Sequence, residues 1–192
     1  MEKMIERVKM ILLNPKQTWE TIRDEKADVK ELFTGYLMIL AAIGPICSLI
    51  GRSLVGVMGF RWSFGSSLLA AILSYIFILV YVYILAIVVN ALAPQFASQK
   101  NMDQAIKLCV YFPTAALVAG VFHLIPALGI FAFLASLYSL YLLYIGLPIM
   151  MGTPHDKVIV YFITIIVVTV ILMLILGAIM TAFVATSVMP FR

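Results

Sequence analysis

Charge is what this sequence lacks. Between Leu32 and the C-terminus only eight side chains are charged: Arg52, Arg61, Lys100, Asp103, Lys107, Asp156, Lys157 and Arg192. Acids are scarcest, with Asp103 and Asp156 alone in that stretch. Cysteine is nearly absent: Cys47 and Cys109 sit in apolar runs with no CxxC and no nearby histidine. That excludes a disulfide framework and a thiolate metal site, and both read as small buried thiols. The two histidines, His123 and His155, fall at opposite ends of the topology derived below and cannot share a metal. No Ser/His/Asp set, carboxylate pair or glycine-rich phosphate loop is present. No enzyme activity, catalytic residue, metal or cofactor is therefore expected. No cluster of lysine and arginine could displace many phosphate counterions, so nucleic acid is not an expected partner. No cleavable signal is visible either, because the first 31 residues are charged throughout and the first apolar run is too long.

What is present is lipid-soluble sequence. The chain is 64% hydrophobic and 11% charged, with a mean hydropathy of +1.12, against about 25% charged in ordinary soluble domains. Five apolar runs stand out: 32–51, 68–93, 105–122, 124–151 and 158–189. Each is about 20 residues or more, enough to cross a hydrocarbon core roughly 30 Å thick. The split between the third and fourth rests on Pro126 and Gly129, which break helices and suit a tight hairpin. The expected fold is all-α: a polytopic membrane bundle of five transmembrane helices, residues 32–192, behind a cytoplasmic amphipathic helical preamble, residues 1–31.

In the preamble Met4, Ile5, Val8, Ile11 and Leu12 share one face of a helix. That face would lie on the inner leaflet or cover the cytoplasmic end of the bundle, with Ile11 and Leu12 interfacial. Asn14 and Pro15 suit an N-cap and first helical position. Trp19 and Ile22 share a face, and Trp19 is expected at the headgroup level. Asp28 and Glu31 have the spacing of a capping box.

Within the runs, helices in lipid pack through small residues. Gly44 and Ser48, Ala116 and Gly120, and Ala132 and Ser136 are such pairs. The last run carries a double stripe, Gly177, Thr181 and Ala185 beside Ala178, Ala182 and Thr186, read as a helix–helix contact within the bundle or between protomers. Pro45, Pro113 and Pro148 each remove an N–H and free a carbonyl. They read first as kinks and second as broken helices lining a site. Tyr138, Tyr141 and Tyr144 step along one run with Ser136 and Ser139, as a hydrogen-bonded packing stripe or a cavity lining. Asn90 reads as inter-helix glue.

Three segments carry a resemblance. They are 14–22 (NPKQTWETI), 111–113 (YFP) with the hairpin 125–129 (IPALG), and above all 138–148 (YSLYLLYIGLP) with 154–157 (PHDK) and Tyr161. Together they make the chain similar to the bacterial branch of the Yip-domain family, membrane proteins named for interaction with Ypt/Rab GTPases. The resemblance implies five membrane helices, a cytoplasmic N-terminus and a short outer C-terminus. The chain lacks the Asp-Leu-Tyr-Gly-Pro run of the eukaryotic branch, which leaves a GTPase partner doubtful.

The leading expectation is a non-catalytic membrane-organising or partner-recruiting protein of the inner membrane, contacting lipids and forming homo-oligomers or complexes with other membrane proteins. The alternative is a carrier or channel for a small solute or ion. Lysines and arginines set the orientation: ten fall on the side of the N-terminus, and only Arg52, Arg61 and Arg192 on the other. The N-terminus is expected inside and the C-terminus outside. A C-terminal alkaline phosphatase fusion should be active, and an inactive fusion would reverse the orientation or change the helix count.

Overall fold

The computed structural model describes residues 2–26, 28–55 and 64–188, with the backbone alone at 54–55, 126, 180 and 182–188. Arg61, Met189 and Arg192 lie outside the described residues, as does the side chain of Ala185. Every regular element among the described residues is helical. Two short helices, α1 (Glu2–Leu13) and α2 (Pro15–Asp24), precede five long ones. These are α3 (Val29–Ser53), α4 (Phe64–Phe96), α5 (Met102–Leu124), α6 (Gly129–Met151) and α7 (His155–Val188). All five are long and apolar enough to cross a membrane.

The ends differ from the sequence expectation by a few residues, for local reasons. The first span begins at Val29, because Asp28 accepts a hydrogen bond from Lys30 N at 2.8 Å and caps it. Polar Asp103 and Gln104 likewise enter α5, since Asn101 Oδ1 accepts from both of their backbone amides. The fourth span starts at Gly129 rather than Leu124, because α5 ends in a 3-10 turn through Leu124 and a second 3-10 turn occupies Pro126–Leu128. Asn14 occupies the cap position of α2, yet its side chain makes no cap bond. Its carbonyl instead accepts from Thr18 Oγ1 at 2.7 Å.

Helix α5 is the core of the bundle. Two thirds of its most apolar window is buried, against a third or less in the other four. It packs against α3, α4 and α6, while α7 rests on α4 and α6 from outside. One buried cluster joins Leu37, Leu85, Val89, Leu108, Leu142 and Ile165 with Ile11, Trp19 and Ile22 from the two short helices.

Small residues bring α3 and α5 together. Gly44 and Gly120 face each other so closely that a Cβ on Gly120 would lie 2.8 Å from Gly44 Cα and 2.9 Å from Gly44 N. The reverse is not symmetric: a Cβ on Gly44 would meet nothing nearer than 3.9 Å. Backbone cannot yield as a side-chain tip can, so overpacking here costs about 1–3 kcal/mol. Gly120→Ala should lower the thermal midpoint in detergent clearly, and Gly44→Ala should change it little. Equal effects would contradict this helix contact.

Candidate functional site

The end of the bundle that receives α1 and α2 carries the densest polar chemistry. Helix α2 stops at Asp24, leaving its last carbonyls without intrahelical donors. Lys107, one turn into α5 and 3% exposed, sends its ammonium to them. Its Nζ donates to Ile22 O at 2.9 Å, Arg23 O at 3.2 Å and Glu25 O at 2.6 Å. Gln104, one turn earlier, adds a bond from Nε2 to Arg23 O at 2.9 Å. A cation at a helix C-terminus also meets the negative end of the dipole. At the exposed rim, a hydrogen bond from Arg23 holds the Asp24 carboxyl below its usual range.

Trp19 is inserted where this cap meets α6. It is 0% exposed and meets Tyr111 edge-on. A Cβ on Gly146 would lie 2.9 Å from Trp19 Cε2 and 2.7 Å from Leu108 Cδ1, so only glycine leaves room for the indole. Trp19 Nε1 has no partner among the described residues, a cost that the packing of the ring offsets. Tyr138 donates from its hydroxyl to Leu12 O at 2.7 Å, which fixes the end of α1 to α6. Arg7 pairs with Glu25 and lies over the Tyr111 ring at 6.0 Å.

These positions correct the interfacial assignment of Trp19, Ile11 and Leu12. Trp19 and Ile11 are buried in protein, and Leu12 packs against the same cluster. The reason is competition: a bundle end with uncovered apolar side chains and a glycine notch offers the ring more contact than headgroups do. The apolar residues of α1 that are exposed are Ile5, Met10 and Leu13.

Pro113 divides α5 into Met102–Tyr111 and Thr114–Val118. Inside a membrane a broken helix must find partners for its freed backbone groups. Ser139 supplies one, accepting from Ala116 N at 3.0 Å. Thr114 Oγ1 donates to Tyr111 O at 2.6 Å and bonds to Tyr36 OH at 2.8 Å. The break is filled by hydroxyls from α3, α5 and α6. Tyr36 stands in a π-helical turn, Phe33–Leu37.

The remaining candidate residues scatter. Tyr141 and Tyr144 are 45% and 39% exposed and face outward, with ring contacts to Tyr138 and Phe162. Ser136 is exposed and bonds back to Ala132 O. The tyrosine stripe therefore does not line an internal cavity. Asn90 is half-buried, and its Oδ1 has no partner among the described residues. Pro148 borders a shallow polar hollow beside Arg23, Asp24 and Gln99. Pro45 is buried in α3, and Ser48 lies three residues on, at the far end. Gly177 has open space at its Cβ position and Thr181 is exposed, so no helix among the described residues covers them. Sequence reading missed Lys107, Gly146, Tyr36 and Thr114. Lys107 was counted only as a topological charge, although a lone lysine inside an apolar run was a signal for a buried partner.

A five-span bundle with a two-helix cap defines a multi-pass helical membrane protein. The sequence pattern of the Yip1 domain matches residues 9–179, and the chain belongs to that family. It is 24% identical over 148 residues to inner membrane protein YohC of Escherichia coli (strain K12), covering 70% of this chain and 73% of that protein. YohC of Escherichia coli O6:H1 (strain CFT073) gives the same values. No solved structure matches.

The cap makes a specific prediction. Lys107→Met removes the donor from three carbonyls, and Gly146→Ala pushes on the Trp19 ring. Each should weaken docking of α1 and α2 by about 2 kcal/mol. Amide exchange in residues 5–24 should then rise roughly thirty-fold while α6 stays protected. Unchanged exchange in both variants would mean that neither contact holds the cap.

Proposed function

We propose that this protein is a non-catalytic organiser or recruiter in the inner membrane, with its capped end in the cytoplasm and its C-terminus outside. The observation that carries this reading is the fixed cap. Lys107 and Trp19 hold α1 and α2 in one position, and their outward face carries Glu2, Lys3, Glu6, Lys9, Lys16 and Glu20, all exposed. A rigid charged surface on an anchored bundle suits docking of another protein. Bases and acids balance in residues 1–31, which favours a protein partner over purely electrostatic attraction to anionic lipid.

The filled interior supports a non-transporting role. Lys107 is the sole buried charge among the described residues, and three carbonyls occupy its ammonium. The proline break is packed with hydroxyls rather than open. Open space at Gly177 and the exposed Thr181 on α7 leave a face for a second copy or another membrane protein. Location in the inner membrane is carried over from YohC. The charge bias of the loops supports the orientation.

Two measurements test this together. Photocrosslinkers at Gln17 and Glu20 should give discrete protein adducts in native membranes. Purified protein in liposomes should pass no ion or small solute above the empty-vesicle rate. Selective flux abolished by Tyr141→Phe or Pro113→Ala, with no adducts, would replace this reading with a carrier.

A further inference from the structure

The far end of the bundle is the chemical opposite of the capped end. All nine acidic side chains of the chain lie in residues 2–31 or at Asp103 and Asp156. Chain direction puts every one of them at the capped end, roughly 30 Å from the far end at 1.5 Å per helical residue. Arg52 sits at the far end in a π-helical turn, Gly51–Val55, and is exposed. No carboxylate side chain of this chain can neutralise it.

Arg52 borders a hollow of about 240 Å³ to which Ser48, Ser67, Ser74 and His123 contribute polar groups. Ser74 bonds back to Ala71 O at 2.9 Å, and His123 Nδ1 is 3.0 Å from Gly120 O. Ser67 is different: it is 3% exposed, and its Oγ has no hydrogen-bond partner among the described residues. A second groove of about 270 Å³ lies beside it at the same depth, on the outward side of the seam of α3 and α4. Pro45 and Ala71 line both hollows. The second is walled by Ile46, Leu49, Leu68 and Ile72, and it opens outward, where Ile46 and Ile72 are about half exposed. Pro45 lacks the N–H that would bond in mid-helix, and the small side chains at Ala42 and Ala71 leave the slot open.

We infer that this composite hollow is a binding site for one anionic phospholipid of the leaflet at the far end. The phosphodiester would take charge-assisted bonds from Arg52. The Ser67 hydroxyl would donate to a phosphate or ester oxygen and gain the partner it lacks. One acyl chain would lie in the apolar groove beside Pro45, against Ile46, Leu49, Leu68 and Ile72. No free anion explains that seam, and no neutral alkyl chain explains Arg52 beside a buried unpaired hydroxyl. A molecule with both ends satisfies both halves. The inference does not depend on the organising role, since a carrier could hold such a lipid equally.

Native mass spectrometry of the full chain, stripped of lipid in mild detergent, tests it. The protein is offered phosphatidylglycerol and phosphatidylcholine with identical acyl chains. One phosphatidylglycerol should stay bound under activation that removes phosphatidylcholine. Arg52→Gln should reduce that retention at least five-fold, and Arg52→Lys should keep most of it. Ala71→Phe, which narrows the slot without touching the charge, should also reduce retention. Glycerol 3-phosphate at the same concentration should leave no adduct. Equal retention of the two lipids, indifference to Arg52→Gln, or binding of glycerol 3-phosphate as tight as that of the lipid would overturn the assignment. All three variants are checked for unchanged melting, and Arg52→Gln alone decides if Ala71→Phe melts early.

Discussion

The ammonium of Lys107 at the end of α2 is the interaction on which the capped end depends. A lysine buried at this depth is expensive unless its charge is satisfied. The last carbonyls of a helix are equally demanding when water is excluded. Each group removes the other's penalty. The same contact sets the height of α2 above the bundle, and that height places Trp19 in the notch at Gly146. Tyr138 then reaches Leu12 O, and Arg7 reaches Glu25 and Tyr111. A surface helix pair becomes part of the hydrophobic core through one cation and one missing side chain.

Helix α5, which carries Lys107, is broken farther along. A straight helix through Pro113 would leave backbone groups unpaired in an environment that cannot hydrate them. The chain restarts the helix at Thr114 instead and recruits hydroxyls from three helices. The break also ties neighbours to a common point, since Tyr36 comes from α3 and Ser139 from α6. Beyond it, the 3-10 turn Ala119–Leu124 lets Gly120 approach Gly44. Polar satisfaction near the middle and backbone contact nearer the far end follow one another along the same helix.

Much of this architecture was legible in the sequence. Long apolar runs separated by charged or helix-breaking residues identify five spans, because the bilayer dictates their length. The hairpin at Pro126 and Gly129 was legible for the same reason. Partnership between spans was not. Gly44 and Gly120 each stand out as half of a small-residue pair on its own helix, and nothing local says that they meet. Trp19 shows why amphipathicity is ambiguous. A ring at the start of a membrane protein suits headgroups or a protein notch equally well, and the decision rests with Gly146, more than a hundred residues away. Lys107 was hidden by its usefulness as a loop charge. The tyrosine stripe left packing and cavity lining both open, because a regular spacing of hydroxyl groups marks a face without saying whether that face is inside.

The asymmetry between the two ends follows from what each must do with charge. At the capped end acids and bases occur together, and backbone carbonyls absorb the one buried cation. Solvent and neighbouring side chains suffice there. At the far end Arg52 has no Asp or Glu side chain to meet, and α3 ends in a widened turn beside an apolar seam. A bilayer is the one medium that offers anions and hydrocarbon at adjacent depths. The capped end satisfies its buried charge within the protein, whereas the far end leaves Arg52 open to an anion from the surrounding lipid.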